Sequence, residues 1–180
     1  MGKAHGVVTP YEGTGRRDWD ETAGIDAPLR LHRTTVPPEW VDYNGHMSES
    51  CYLLAFGDNA DAFFRYLGID ETYRDEGHSL YTVETHLHNL REASEGEPLE
   101  LSLQLLDHDA KRLHLFHEMR HGGDQRLLAT AEQLLVHVDT QASRSAPLPP
   151  EIAGHVAAVA RRHAALPVPD VVGRPMGIRH

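Results

Sequence analysis

The stretch Glu39-Trp-Val-Asp-Tyr-Asn-Gly-His-Met-Ser-Glu-Ser-Cys-Tyr52 joins an extended run to the start of a long helix, and its reading decides the fold. Upstream, Leu29-Arg-Leu-His-Arg-Thr-Thr-Val36 alternates as a strand does, and Pro37-Pro38 ends it because proline supplies no ladder donor. Turn chemistry follows at Asp42-Tyr-Asn-Gly45. Ser48 then suits a helix cap, and Glu49 puts an acid in the first turn, where the helix dipole favours it. Downstream, Leu53, Leu54, Phe56, Ala60, Phe63, Phe64 and Leu67 recur at helical spacing until Gly68 stops the run. The spacing predicts about five turns of helix with an unusually apolar face, which anchors the core.

From about residue 79 the period changes to two, and strands are predicted over 80–90, 99–106, 112–120 and 127–138. Glu95-Gly-Glu-Pro98, Asp107-His-Asp-Ala-Lys111 and Gly122-Gly-Asp124 are turn chemistry between them. Adjacent strands of this kind predict an antiparallel meander. One long helix followed by such a sheet is an α+β arrangement, with the sheet wrapped around the helix. Residues 1–27 lack apolar periodicity and read as a mobile N-terminal extension. The domain proper covers 28–145. Residues 146–180 hold a surface helix over 151–165, after Pro147-Leu-Pro-Pro150, and an irregular tail.

A chain of 180 residues with 40% hydrophobic content suits one core. Its net charge of -10 argues against nonspecific nucleic-acid binding, which depends on neutralising phosphates. The N-terminus lacks the apolar core of a signal peptide, and no run approaches the roughly 18 apolar residues of a membrane helix. Cys51 is the single cysteine, so no intrachain disulfide is possible and a cytoplasmic location is expected.

His117-Glu-Met-Arg-His121 matches the zinc-protease pattern H-E-x-x-H, which binds metal only on a helix, where positions i and i+4 share a face one turn apart. Here the surrounding residues alternate as a strand, along which four steps span about 13 Å, too far for one zinc. His86 and His88 share a strand face, but no third ligand is positioned by sequence, so no metal is expected. Ser48 and Ser50 lack a nucleophile elbow, and Cys51 reads as a small packing residue. Asp42 remains. One reading is a turn aspartate bonded to its own backbone. The other is a carboxylate beside free helix-start amides, equipped to attack or deprotonate while those amides stabilise an oxyanion.

Asp42-Tyr-Asn-Gly-His-Met47, followed by a helix containing Tyr52-Leu-Leu-Ala-Phe56, resembles the signature of hotdog-fold acyl-CoA thioesterases of the 4-hydroxybenzoyl-CoA thioesterase type. Leu90-Arg-Glu-Ala-Ser-Glu-Gly-Glu-Pro-Leu99 and Leu134-Leu-Val-His-Val-Asp139 fall where that family has its sheet. The resemblance implies a long central helix wrapped by a curved antiparallel sheet, in a homodimer or homotetramer with active sites at the subunit interface. It implies an acyl-CoA substrate with no separate cofactor, and Asp42 as nucleophile or general base. The backbone amides of Ser48 and Glu49 would polarise the thioester carbonyl, and Asn44, Gly45 and His46 would complete the substrate-binding turn. Many family members carry an acid two positions before the catalytic one, where this chain has Trp40.

Glu39 to Met47, Tyr81-Thr-Val-Glu-Thr-His86 and Lys111-Arg-Leu-His-Leu-Phe-His117 together are similar to a narrower group. It comprises the thioesterase domain fused to carnitine 3-dehydrogenase and stand-alone betainyl-CoA thioesterases. That similarity implies an acyl group with a trimethylammonium head, released as glycine betaine in carnitine catabolism. Trp40 and Tyr43 would form a cation–π wall, with Glu84 as counter-charge. The CoA phosphates would call on Arg91, Lys111, Arg112 or Arg120, since so acidic a chain must concentrate positive charge locally. The alternatives are a thioesterase for another short or aromatic acyl-CoA, a noncatalytic acyl-CoA-binding module, and a dehydratase, whose histidine-led signature is not apparent.

Overall fold

The computed structural model describes residues 8–178, with β1 (Leu29–Thr35), α1 (Glu49–Leu67), α2 (Glu71–Asp75), β2 (His78–Asn89), β3 (Pro98–His108), β4 (Arg112–His121), β5 (Leu127–Asp139), β6 (Arg144–Ser145) and α3 (Pro150–His163). A short 3-10 turn, Pro38–Trp40, leads into the Asp42 turn. The long helix stops as its sequence predicts, with Gly68 left-handed at φ 99° and its amide returning to Arg65 and Phe64.

All paired strands are antiparallel, in the order β1-β3-β4-β5-β2, with β6 on β5. The predicted meander holds for β3, β4 and β5. It fails for β2, which lies beyond β5 and does not touch β3. The cause is the connection over residues 90–97, too long for a tight hairpin. The amides of Leu90 and Arg91 both bond to the Leu128 carbonyl, which keeps the end of β2 on β5 before the chain crosses α1. That crossing carries the loop past the Asp42 turn.

One sheet face packs on α1, and the alternation that predicted the strands is this inside–outside difference. Leu113, Leu115, His117 and Met119 on β4 are buried, as are Ala129, Ala131, Gln133 and Leu135 on β5. The apolar interior has two parts. Under the first half of α1, Tyr52, Ala55 and Phe56 pack with Met47, Leu101, Met119 and Ala131. Under the second half, Phe63 and Leu67 pack with Leu103, Leu115, Leu135, Ile152 and Val156. A buried polar layer includes Asn59 of α1, whose side-chain amide donates to His117 Nδ1 (2.9 Å) and to the Ser102 carbonyl (3.2 Å). Fixed partners of this kind hold the helix in register on the sheet.

Two expectations change here. The helix read as a surface element is α3, whose Ile152, Val156 and Val159 are core residues. Its His163 accepts the Leu105 amide through Nδ1 (2.9 Å) and donates from Nε2 to the Asp26 carbonyl (3.0 Å). The N-terminal extension, over its described part from residue 8, lies on the helices. Arg17 donates its amide to the Arg65 carbonyl (3.0 Å), Glu12 pairs with Arg74 (2.9 Å), and Trp19 stacks on His155 at 4.0 Å. Polar pairs and the isolated apolar contacts of Trp19 and Ile25 hold this segment, and apolar periodicity does not register such scattered contacts. The remainder of the extension, residues 1–7, lies outside the described residues. Among the described residues, no helix is long and apolar enough to cross a membrane.

Candidate active site

Val41 and Met47 face each other in an isolated antiparallel bridge, which closes a loop around Asp42. The Asp42 amide donates to the His46 carbonyl (2.9 Å), and the Gly45 amide returns to the Asp42 carbonyl (3.0 Å). Gly45 takes φ +79°, a left-handed conformation that favours glycine. The Asn44 amide donates to Asp42 Oδ1 at 2.8 Å. The two readings of Asp42 are therefore compatible: the turn bond engages one carboxylate oxygen and fixes where the group sits.

The helix start differs from expectation in one respect. Ser48 occupies the N-cap position, but its side chain makes no capping bond, and its hydroxyl lies 3.4 Å from that of Ser50. Its amide donates to the Trp40 carbonyl at 2.8 Å, so it is consumed in closing the turn and is not a free oxyanion donor. The Cys51 amide bonds to the Ser48 carbonyl (2.9 Å). Glu49 is left among the first-turn amides that a helix cannot satisfy internally, at the positive end of its dipole.

The loop after β2 forms the other side of the site. The Met47 amide donates to the Ala93 carbonyl (2.8 Å), and the Tyr52 hydroxyl donates to the Arg91 carbonyl (3.1 Å). These two bonds pin the loop to the start of α1 and set Glu92 beside the turn, where its carboxylate lies 3.3 Å from His46 Nε2. Sequence reading did not single out Glu92. No spacing or motif links it to Asp42; only the crossing of the 90–97 loop brings them together.

The other candidates separate. Trp40 is partly buried against the first core, whereas Tyr43 is 97% exposed, and the two rings form no aromatic pair among the described residues. Glu84 sits in the middle of β2, paired with His86 at 3.0 Å, in a cleft of about 400 Å³ with His114, Glu132 and Leu134. That cleft is on the sheet, away from the Asp42 turn of the same chain. Lys111 lies just before β4, Arg112 begins it and Arg120 is near its far end, eight steps or roughly 26 Å from Arg112. Arg112 is held by Asp109 at 2.6 Å and Arg120 by Glu118 at 2.9 Å. Arg91, at the Asp42 end, donates to the Leu127 carbonyl (2.9 Å) and has no carboxylate in ion-pair reach among the described residues.

The H-E-x-x-H segment is strand β4, in accord with its alternation. His117 is fully enclosed, and burial pulls its imidazole down to about 4, so the ring is neutral near pH 7. His121, at the far end of the segment, lies 3.1 Å from Asp124. Among the described residues, no group of three His, Cys, Asp or Glu side chains is arranged to hold a metal ion.

Residues 36–156, more than half of the chain, match the thioesterase-like superfamily. The chain belongs to that superfamily. Its fold is the hotdog, a curled antiparallel sheet around a long helix, and by family it is a thioester hydrolase. It is 42% identical, over 98% of its length, to an L-carnitine dehydrogenase/betainyl-CoA thioesterase of Rhizobium meliloti, of which it spans 37%. It is 47% identical to a betainyl-CoA thioesterase of Pseudomonas aeruginosa, over 83% of this chain and 95% of that one. Among solved structures, a putative thioesterase from Pseudomonas putida KT2440 superposes with a TM-score of 0.75 at 32% identity, covering 87% of this chain and all of that one. SAV2348 from Staphylococcus aureus, solved in complex with CoA, superposes with a TM-score of 0.79 at 26% identity over the same shares.

Proposed function

We propose that this chain hydrolyses acyl-CoA thioesters, with betainyl-CoA as its substrate, glycine betaine and CoA as products, and Asp42 as the catalytic carboxylate. The observation that carries the chemistry is the Asp42 carboxylate, fixed through one oxygen at the start of α1, in a chain of thioesterase family. The substrate comes from the two relatives, whose names both include betainyl-CoA thioesterase.

As a general base, Asp42 takes a proton from water while the water oxygen attacks the thioester carbonyl carbon. Charge then develops on the carbonyl oxygen, and the Glu49 amide at the positive end of α1 stabilises it. As the C–S bond breaks, its electron pair leaves on sulfur, and the proton held by Asp42 passes to the CoA thiolate. As a nucleophile, Asp42 attacks the same carbon, and the C–S bond breaks with its electron pair leaving on the CoA sulfur; water then cleaves the resulting acyl anhydride, restoring the Asp42 carboxylate, and a proton from that water passes to the thiolate. Asn44, Gly45 and His46 shape the turn in either route. Arg91 is the CoA phosphate candidate favoured by its place and its freedom from an acid partner.

The assembly is a homodimer formed through β2. That strand is an open sheet edge, with Tyr81 and Val83 about half exposed on it and Leu53 of α1 exposed nearby in sequence to the site. A second copy would cover these groups and give the exposed Tyr43 ring a surface to close on, completing with Trp40 a wall for the trimethylammonium head. Homotetramers would pair such dimers. A chain with one cysteine, acting on CoA esters, suits the cytoplasm.

Free-thiol release from a panel of CoA thioesters tests the proposal. Betainyl-CoA is expected to turn over with the highest kcat/KM. Binding of CoA thioesters without thiol release would replace the enzyme by a noncatalytic binding module.

A further inference from the structure

We infer that Glu92 is the specificity residue of this site: its carboxylate, beside His46 of the Asp42 turn, reads the positive charge of the acyl group. The inference rests on the betainyl-CoA reading above and assigns a residue to its selectivity. The substrate itself is compact, since the quaternary nitrogen is only two bonds from the thioester carbonyl carbon. Whatever senses that charge must stand next to the group that attacks the carbon. Glu84, in the middle of β2, is not at the Asp42 turn of its own chain; Glu92 lies 3.3 Å from His46 of that turn.

Three features make Glu92 fit. Its backbone is held from both sides, because the neighbouring carbonyls of Arg91 and Ala93 accept from the Tyr52 hydroxyl (3.1 Å) and the Met47 amide (2.8 Å), while its side chain stays exposed to a ligand. Its charge is also unspent. Glu97, on the same loop, is held by Arg126 at 3.0 Å, and the Arg91 guanidinium is turned to the Leu127 carbonyl. The group facing Glu92 is His46, whose Nε2 lies 3.3 Å from the carboxylate and orients it. Its field, finally, reaches the start of α1. Burial pushes the Tyr52 hydroxyl up, and the Glu92 charge adds to that push. A quaternary ammonium has no N–H to donate, so it is recognised by charge and by contact with soft surfaces, and a nearby carboxylate with no Lys or Arg partner among the described residues, together with the Trp40 and Tyr43 rings, supplies both.

The test compares betainyl-CoA with 3,3-dimethylbutyryl-CoA, in which carbon replaces the quaternary nitrogen at nearly the same size and shape. The ratio of their kcat/KM values is measured for the wild-type protein, Glu92→Gln, Glu92→Asp and Glu84→Gln. The wild type is expected to favour the cation, Glu92→Gln to cut the ratio about tenfold, and Glu92→Asp to restore much of it, while Glu84→Gln leaves the ratio high. Cation preference that survives Glu92→Gln, or that falls only in Glu84→Gln, overturns the inference and leaves the betainyl-CoA reading standing. So does an equal loss on both substrates in Glu92→Gln, since that marks a positional role. A wild-type ratio near one defeats the betainyl-CoA reading itself, and the role of Glu92 with it.

Discussion

At its C-terminal end α1 is enclosed on several sides, while at its N-terminal end it is left open. Around Phe63 and Leu67 lie the sheet, α3 and the segment from residue 8 onward, and the Arg65 guanidinium is buried with Glu71 2.9 Å away. Around Ser48 and Glu49, among the described residues, the Asp42 turn and the 90–93 loop close in, held by a few hydrogen bonds, with Tyr43 and Leu53 exposed. The two ends share one helix and one sheet, so the difference lies in what is added. The closed end carries most of the packing, and the open end leaves a carboxylate and a helix terminus accessible, where the proposed substrate would bind. This separation predicts that substitutions divide cleanly between turnover and stability.

Asp42→Asn gives the largest effect. It keeps the shape of the turn and an acceptor for the Asn44 amide but removes the base or nucleophile, so kcat is expected to fall a hundredfold or more, roughly the span of general base catalysis. The melting temperature should move by no more than about 2 °C. Near wild-type thiol release from betainyl-CoA would remove Asp42 from its role. At the other end, Phe63→Ala empties a fully buried site and is expected to cost about 3–5 kcal/mol by denaturant unfolding. The folded fraction should retain the wild-type KM. A rise in KM as large as the loss of stability would show that the two ends are not separable.

Two buried titrating groups sharpen the picture, with opposite signs. His117 lies in the polar layer between the cores, and burial lowers its imidazole from 6.5 to about 4. The unfolded chain therefore binds a proton more readily. The contribution of the neutral ring is full above about pH 6.5 and is lost as pH falls towards 4, by up to about 3 kcal/mol. Asp58 of α1 is raised from 3.8 to about 6, first by burial and then by the charge of Asp61. There the folded state holds the proton, so the contribution is full below about pH 4 and is lost as pH rises to 6. After allowance for solvent screening its size is on the order of 1 kcal/mol. Stability measured from pH 4 to 7 should rise on balance, and more steeply in Asp58→Asn. An unchanged slope in that variant would show that Asp58 does not titrate in this range.

How much of this was legible in the sequence follows from where each signal is stored. Strand alternation and the Gly68 stop are local, so β3, β4, β5 and α1 were read within a few residues. The junction of turn, carboxylate and helix start around Asp42 was legible because all three lie within one stretch. Which strand β2 pairs with is a tertiary choice, made by the crossing loop and the two amides on the Leu128 carbonyl. The docking of residues 8–19 was hidden because it rests on pairs such as Glu12 with Arg74, which have no period. The loss of the Ser48 amide to Trp40 depends on how the turn closes, and Glu92 reaches His46 only through the folded loop.

Gly45→Ala has a small expected effect on stability and bears most directly on the difference between the ends. A Cβ added at Gly45 meets nothing within 4 Å, so no contact opposes the change. The penalty is the φ of +79° alone, about 1 kcal/mol for a residue with a Cβ. Spread over the whole domain, that lowers the melting temperature by about 2–4 °C. Locally it acts on the turn whose Gly45 and Asn44 amides fix the backbone and the carboxylate of Asp42. Relaxing φ shifts both bonds, and small displacements of a reacting group are costly to rate. Turnover of betainyl-CoA is therefore expected to fall several-fold while KM changes less. If kcat were retained while the melting temperature dropped by much more than this, the Asp42 turn would be part of the stability core, and the division between the two ends of α1 would fail.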